Sequence, residues 1–184
     1  IKSRRLEYVG PTVSKDLVSD GVMAIIFAII AMLAYIWFRF ELPFALGAIV
    51  ALLHDIILTM GEFAVLGLEF NLATVAAILL IIGYSMNDTV VVYDRIRENL
   101  RKFKKMNLNE LLDKSINETL SRTINTTVTT ILALGALYIF GGQIIADFAF
   151  AMLWGIVVGT YSSIFIASPI LVYVNVRRNK ETES

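Results

Sequence analysis

One aspartate dominates any search for chemistry in this chain. Asp88 stands beside Asn87 and three residues after Ser85, inside a long apolar run. An ionisable side chain in such a run is costly and marks a functional candidate. A second apolar run holds His54, Asp55 and Glu62, with Thr59 between the two acids. A third opens on Arg122, and Asn125, Thr126 and Thr129 follow at i+3, i+4 and i+7, one face of a helix. Thr123, Thr127 and Thr130 widen that stripe. A carboxylate, a guanidinium and polar faces within apolar segments point to a proton relay with a hydrated path. Asp55, Glu62, Ser85, Asn87, Asn125, Thr126 and Thr129 are the candidates to line the path. The alternative is an Asp88–Arg122 pair that simply holds two helices together, with hydroxyls and amides bonding between helices for about 0.6 kcal/mol each. The residues alone leave both readings open. His54 reads as an interhelical hydrogen-bonder, and Glu62 as a group near the outer surface.

Other chemistries find no support. The chain has no cysteine and one histidine, which excludes thiolate sites and His-cluster metal sites. No phosphate-binding glycine loop or nucleophile elbow occurs. We therefore expect no cofactor, no metal and no enzyme. Net charge is zero, so nothing points to nucleic acid.

The elements that position these residues follow from hydropathy. Hydrophobic residues make up 57% of the chain, and mean hydropathy is +0.72. The excess sits in five runs, expected as transmembrane helices at about 21–38, 43–66, 72–93, 123–140 and 144–174, each near the roughly 20 residues needed to cross a bilayer. The backbone in lipid must satisfy itself, so the runs are helices. Pro43 fits a first turn. An amphipathic helix is expected at about 107–120, from Leu108, Leu111, Leu112, Ile116 and Leu120 at helical spacing. It either lies on the membrane face or packs on the ends of its neighbours.

The link from Asp94 to Arg122 carries Arg95, Arg97, Arg101, Lys102, Lys104, Lys105, Lys114 and Arg122, and the tail adds Arg177, Arg178 and Lys180. The positive-inside rule makes both cytoplasmic. Five spans then put the N-terminus outside, where Lys2, Arg4, Arg5 and Lys15 conflict with the rule unless a folded outer domain precedes them. We therefore expect residues 1–17 to be the end of such a domain and its linker, 18–176 the transmembrane domain, and 177–184 a cytoplasmic tail. With the third span descending and centred near Gly83, Asp88 lies about 7–8 Å toward the cytoplasm at ~1.5 Å per residue. Arg122 enters from that side and can reach a similar depth. In the last run, Ala151, Gly155, Gly159, Ser163 and Ala167 recur every four residues. That small-residue ridge allows close helix packing, within this chain or against a partner.

The stretch His54–Asn99, with IGYSMNDTVVVYDRIREN at its end, resembles the SecF branch of the SecD/SecF protein-export family. TLSRTINTTVTT (Thr119–Thr130), YIFGG (Tyr138–Gly142), GIVVGTYSSIFIASPI (Gly155–Ile170) and the opening YVGPTVSKDL (Tyr8–Leu17) extend the resemblance over nearly the whole chain. Ser14 stands where a glycine is more usual. The resemblance implies an all-α membrane domain of the resistance-nodulation-division (RND) type, with five of its six bundle helices present and the first span and outer domain absent. It implies a bacterial or archaeal plasma-membrane protein that acts with SecD and the SecYEG channel, and with YidC, on exported polypeptide. The export is driven by the proton or sodium gradient, with Asp88 as the protonatable carboxylate and Arg122 as its cation. A non-conducting scaffold for SecD and SecYEG, or an efflux transporter of the same superfamily, are the competing readings.

Overall fold

Every long apolar run in the chain becomes a helix. In the computed structural model, which describes residues 11–67 and 71–174, α1 is Pro11–Arg39, α2 Leu42–Leu66, α3 Leu72–Lys102, α4 Leu108–Phe140 and α5 Gln143–Ser162. A π-helical turn at Ser163–Ala167 then leads into α6, Ser168–Tyr173. The described residues contain no strand, and they hold five helices long and apolar enough to cross a membrane, the last combining α5, the π turn and α6. The expected tail, 177–184, lies outside the described residues.

Local chemistry sets the helix ends. Proline stands in the first turn of α2, where its missing N–H is harmless. Gly67 closes α2 with φ 65°, a left-handed conformation that favours glycine. The side chain of Asn71 accepts from the backbone N–H of Thr74 at 3.1 Å, and Thr74 Oγ1 accepts from the backbone N–H of Asn71. This capping box starts α3.

Three boundaries differ from the sequence reading. The first helix starts at Pro11 instead of Gly21, so residues 11–17 of the expected 1–17 linker are helical. α3 continues past Tyr93 to Lys102, and the expected amphipathic helix at 107–120 is not separate. It is the first part of α4, which runs unbroken to Phe140. The reason is a single buried face: Leu111, Leu112, Ser115, Thr119, Thr123 and Thr127 continue it across the expected break at Ser121–Arg122. Leu111 and Leu112 join a core that contains Ile96 and Val92, with Phe103 packed against it. The amphipathic segment therefore packs on protein, as one arm of an α3–α4 hairpin.

α3 is the central element, touching α1, α2, α4 and α5. Its contact with α5 is parallel and in register. Side chains at Gly155 and Gly159 would run into Ile81 and Ser85. Ser163 bonds Thr89, and the Ala167 carbonyl accepts from Tyr93. All four pairs share an offset of 74 positions, so the ridge on α5 meets successive turns of α3 of the same chain. Ala151, fully buried, lies in the same cluster as Ala77 and Ile81. At the base of the bundle, Tyr93 packs edge-on against Phe40 and Phe44.

A leucine at Gly155 must displace Ile81. Overpacking of this kind costs about 1–3 kcal/mol. The Gly155→Leu protein is expected to unfold at a lower denaturant or temperature midpoint in detergent. Gly61→Leu, at a position open to its surroundings, is expected to leave that midpoint unchanged.

Candidate functional site

The close approach of α5 to α3 creates a polar cluster with α2. Asp55, Thr59 and Glu62 fall at i, i+4 and i+7 on α2, and all three are buried against the bundle. Asp55 is fully buried. Its Oδ2 accepts from Ser85 Oγ at 2.5 Å and from Ser162 Oγ at 2.8 Å, and its Oδ1 lies 3.0 Å from His54 Nδ1. One carboxylate thus holds α2, α3 and α5 together. His54, expected to bond between helices, bonds its neighbour on α2, and its ring lies against that of Tyr161 on α5.

Asp88 is 3% exposed and sits one turn below Ser85 on α3. Its Oδ2 has no hydrogen-bond partner among the described residues, and neither do Thr59 Oγ1 or the two carboxyl oxygens of Glu62. Buried polar atoms are rarely left so, which singles these residues out. Glu62, expected near the outer surface, is 9% exposed and stands one turn before the end of α2 at Leu66. Thr89, the residue after Asp88, is bonded at 2.9 Å to Ser163 of the π turn. Ser163 shares its proton between the carbonyl of Gly159 on its own span, at 2.9 Å, and the carbonyl of Ser85, at 3.2 Å.

Arg122 lies within electrostatic range of Asp88. Its side chain is exposed, and no ion pair joins the two among the described residues. The rest of the expected α4 stripe faces the same way. Asn125 and Thr129 are exposed, and Thr126 is half-buried. The Thr126 and Thr129 hydroxyls bond carbonyls of their own helix. The helix is turned so that Thr123 and Thr127 face inward, and Thr127 bonds Thr160 of α5 at 3.0 Å. Asn87 is exposed as well. The cluster inside this chain is therefore Asp55, Thr59, Glu62, Ser85, Asp88, Thr89, Ser162 and Ser163. Asn87, Asn125 and Thr129 point away from it.

Residues that read in sequence only as cytoplasmic charge prove to be structural. Asp94 takes the Arg39 guanidinium at 2.8 Å, and Arg97 donates to the Arg39 carbonyl at 3.2 Å. Together they fasten the end of α1 to α3. Arg95 bridges Glu98 and Glu118. Asn99, 1% exposed, donates to Ser115 at 2.9 Å and to Glu118 at 2.8 Å. A signal for this exists in the sequence: Ser115 and Glu118 lie three apart, within reach of one residue on a facing helix.

These features define a class, a polytopic helical membrane protein with carboxylates buried between its spans. The model for the C-terminal part of the protein-export membrane proteins SecD/SecF matches residues 1–177. The chain is 54% identical to the protein translocase subunit SecF of Rickettsia rickettsii over 179 residues, 97% of this chain and 58% of that protein. It is also 54% identical to the SecF subunit of Rhodobacter capsulatus, over 98% of this chain and 54% of that one. The crystal structure of SecDF, a translocon-associated membrane protein from Thermus thermophilus, superposes with a TM-score of 0.87 at 44% identity, covering 92% of this chain and 24% of that one. The chain belongs to the SecD/SecF family of protein-export membrane proteins. It spans a little over half the length of the curated relatives it matches.

Truncating Asn99 to alanine leaves Ser115 and Glu118 short of a buried donor. A loss of this kind costs about 1–3 kcal/mol. Hydrogen exchange is expected to quicken across residues 96–120 in Asn99→Ala, while exchange in α2 stays at the wild-type rate.

Proposed function

We propose that this chain forms the membrane core of an accessory subunit of the Sec protein translocase. It works with SecD to promote export across the plasma membrane, driven by the proton or sodium gradient. The family is one of non-enzymatic transport components. The observation that carries the reading is Asp88: a carboxylate buried amid the spans, with an unpartnered oxygen and a long cationic side chain, Arg122, within electrostatic range.

The carboxylate can be held by a cation or by a proton, and the two are mutually exclusive ways of burying it. When Arg122 swings in, Asp88 keeps its charge. When it swings out, a proton replaces it. Alternation between the two lets α3 and α4 shift against each other and delivers gradient energy to the exported polypeptide. The electrical part alone supplies roughly 2.3 kcal/mol per charge per 100 mV. Thr59 and Glu62, with their unpartnered buried atoms, and Asp55 and Ser85 extend the polar column along the bundle.

The outward face of α4 supports a partner. Arg122, Asn125 and Thr129 are exposed among Ile124, Val128 and Leu132, and polar groups in lipid need a protein or water neighbour. The α4 face is where we place SecD, which completes the site. The basic hairpin end is cytoplasmic in this reading, and SecYEG and YidC are the further partners.

Asp88→Asn and Arg122→Gln are each expected to reduce gradient-dependent export of a secretory precursor at least tenfold, with co-purification of SecD intact. Export at the wild-type rate in both overturns the relay. The dense bonding of Asp55 favours a second reading, a passive scaffold. Exchanging the charges, Asp88→Arg with Arg122→Asp, restores export in that case. In the relay it leaves export abolished, because the acid must stand on α3.

A further inference from the structure

The π turn in the last span has no part in the relay as drawn, yet it touches that site on both sides. Ser162, the last residue of α5 before the turn, donates to Asp55 at 2.8 Å. Ser163, its first residue, bonds Thr89 at 2.9 Å and donates to the Ser85 carbonyl at 3.2 Å. Ser85 in turn donates to Asp55. Asp88 is thus bracketed on α3 by Ser85 and Thr89, both tied to the turn at Ser163. Asp55, Ser85, Asp88, Thr89, Ser162 and Ser163 are all at most 3% exposed. π turns are rare within helices and are found frequently at functional sites.

We infer that Asp55 is a positioning residue for the ion-coupling site. It holds the π turn of the last span against α3, so that a displacement of α3 at Asp88 is passed to α5 and α6. The inference rests on the Asp88 relay and deepens it. Asp55 can transmit what Asp88 does because Ser85, which bonds Asp55, stands on the same helix as Asp88. The Ser85 hydroxyl is bonded to Asp55, its carbonyl accepts from Ser163, and it lies one turn from Asp88. Asp55 takes no proton from the path in this account. The substitution Asp55→Asn keeps the shape of the side chain and removes its charge. The amide oxygen still accepts a bond, but the strong pull of a carboxylate on two hydroxyls is lost, since charge-assisted hydrogen bonds are about twice as strong as neutral ones. The groups facing Asp55 are His54 on its own helix, Ser85 on α3 and Ser162 on α5, with the Tyr161 ring beyond His54.

The test uses the full-length subunit with SecD, reconstituted in membranes. Deuterium uptake is followed across residues 159–168, and gradient-dependent export is measured in parallel. Asp88→Asn is expected to raise uptake in that segment severalfold. Asp55→Asn is expected to raise it to the same level, to lower export about tenfold, and to remove any further response to Asp88→Asn in the double variant. Ser162→Ala, a milder change, is expected to give an intermediate uptake should Asp55→Asn fail to assemble. If Asp88→Asn stops export while Asp55→Asn and Ser162→Ala leave export and uptake at wild-type levels, the inference fails and the relay stands. An undiminished response to Asp88→Asn in the Asp55→Asn background also overturns it. If Asp88→Asn leaves export unchanged, the relay itself fails and the inference falls with it.

Discussion

The structure depends on how closely α5 approaches α3. Helices in lipid gain little from burying apolar side chains against each other, since lipid is as apolar as leucine; they gain from close packing and interhelical hydrogen bonds. Gly155 and Gly159 remove the side chains that would hold α5 away from Ile81 and Ser85. The next two turns of the same ridge, at Ser163 and Ala167, then come within hydrogen-bonding distance of Thr89 and Tyr93. Once the two helices are that close, Ser162 faces Asp55 across the gap. The polar cluster follows from the packing, and Asp55 then locks the packing through two interhelical hydrogen bonds, from Ser85 and Ser162.

The same contact separates two kinds of polar residue. His54, Ser85 and Ser162 are bonded into a fixed arrangement around Asp55. Asp88, Thr59 and Glu62 are buried too, yet each carries an oxygen with no partner among the described residues. A satisfied network stiffens a bundle, whereas an unsatisfied one leaves it open to a change of state. Bonded groups thus meet at Asp55, while the unpartnered oxygens lie beyond it on both sides, at Thr59 and Glu62 along α2 and at Asp88 one turn from Ser85 along α3. The hairpin at the base adds a second rigid element. Arg39–Asp94 and the Asn99–Ser115–Glu118 cluster fasten α1, α3 and α4 where they leave the bundle.

The five helices are legible in the sequence because hydropathy over some twenty residues is a strong signal, and the α5 ridge is legible as packing because its period of four is visible in the letters. Its partner is not, since spacing on one helix does not name the facing one. Asp88 and Arg122 stand out as charges in apolar runs. The orientation of α4 does not. Arg122, Asn125, Thr126 and Thr129 form one polar face, and Thr119, Thr123 and Thr127 form another about one residue round. Only the contact with α5 at Thr160 decides which is buried. The central role of Ser162 is hidden for the same reason: a lone serine in an apolar run means little until an aspartate from another helix is found opposite it. The hairpin clamp escapes a reading of Asp94–Asn99 by charge alone, because its bonds follow from helical spacing across two facing helices.

The central claim is that Asp88 carries the coupling ion. It is tested most directly by ion flux into proteoliposomes holding the full-length subunit with SecD, under an imposed pH or sodium gradient, for wild type beside Asp88→Asn. The account predicts flux in the wild type that falls to the level of protein-free vesicles in Asp88→Asn. Flux in Asp88→Asn equal to that of the wild type would contradict it.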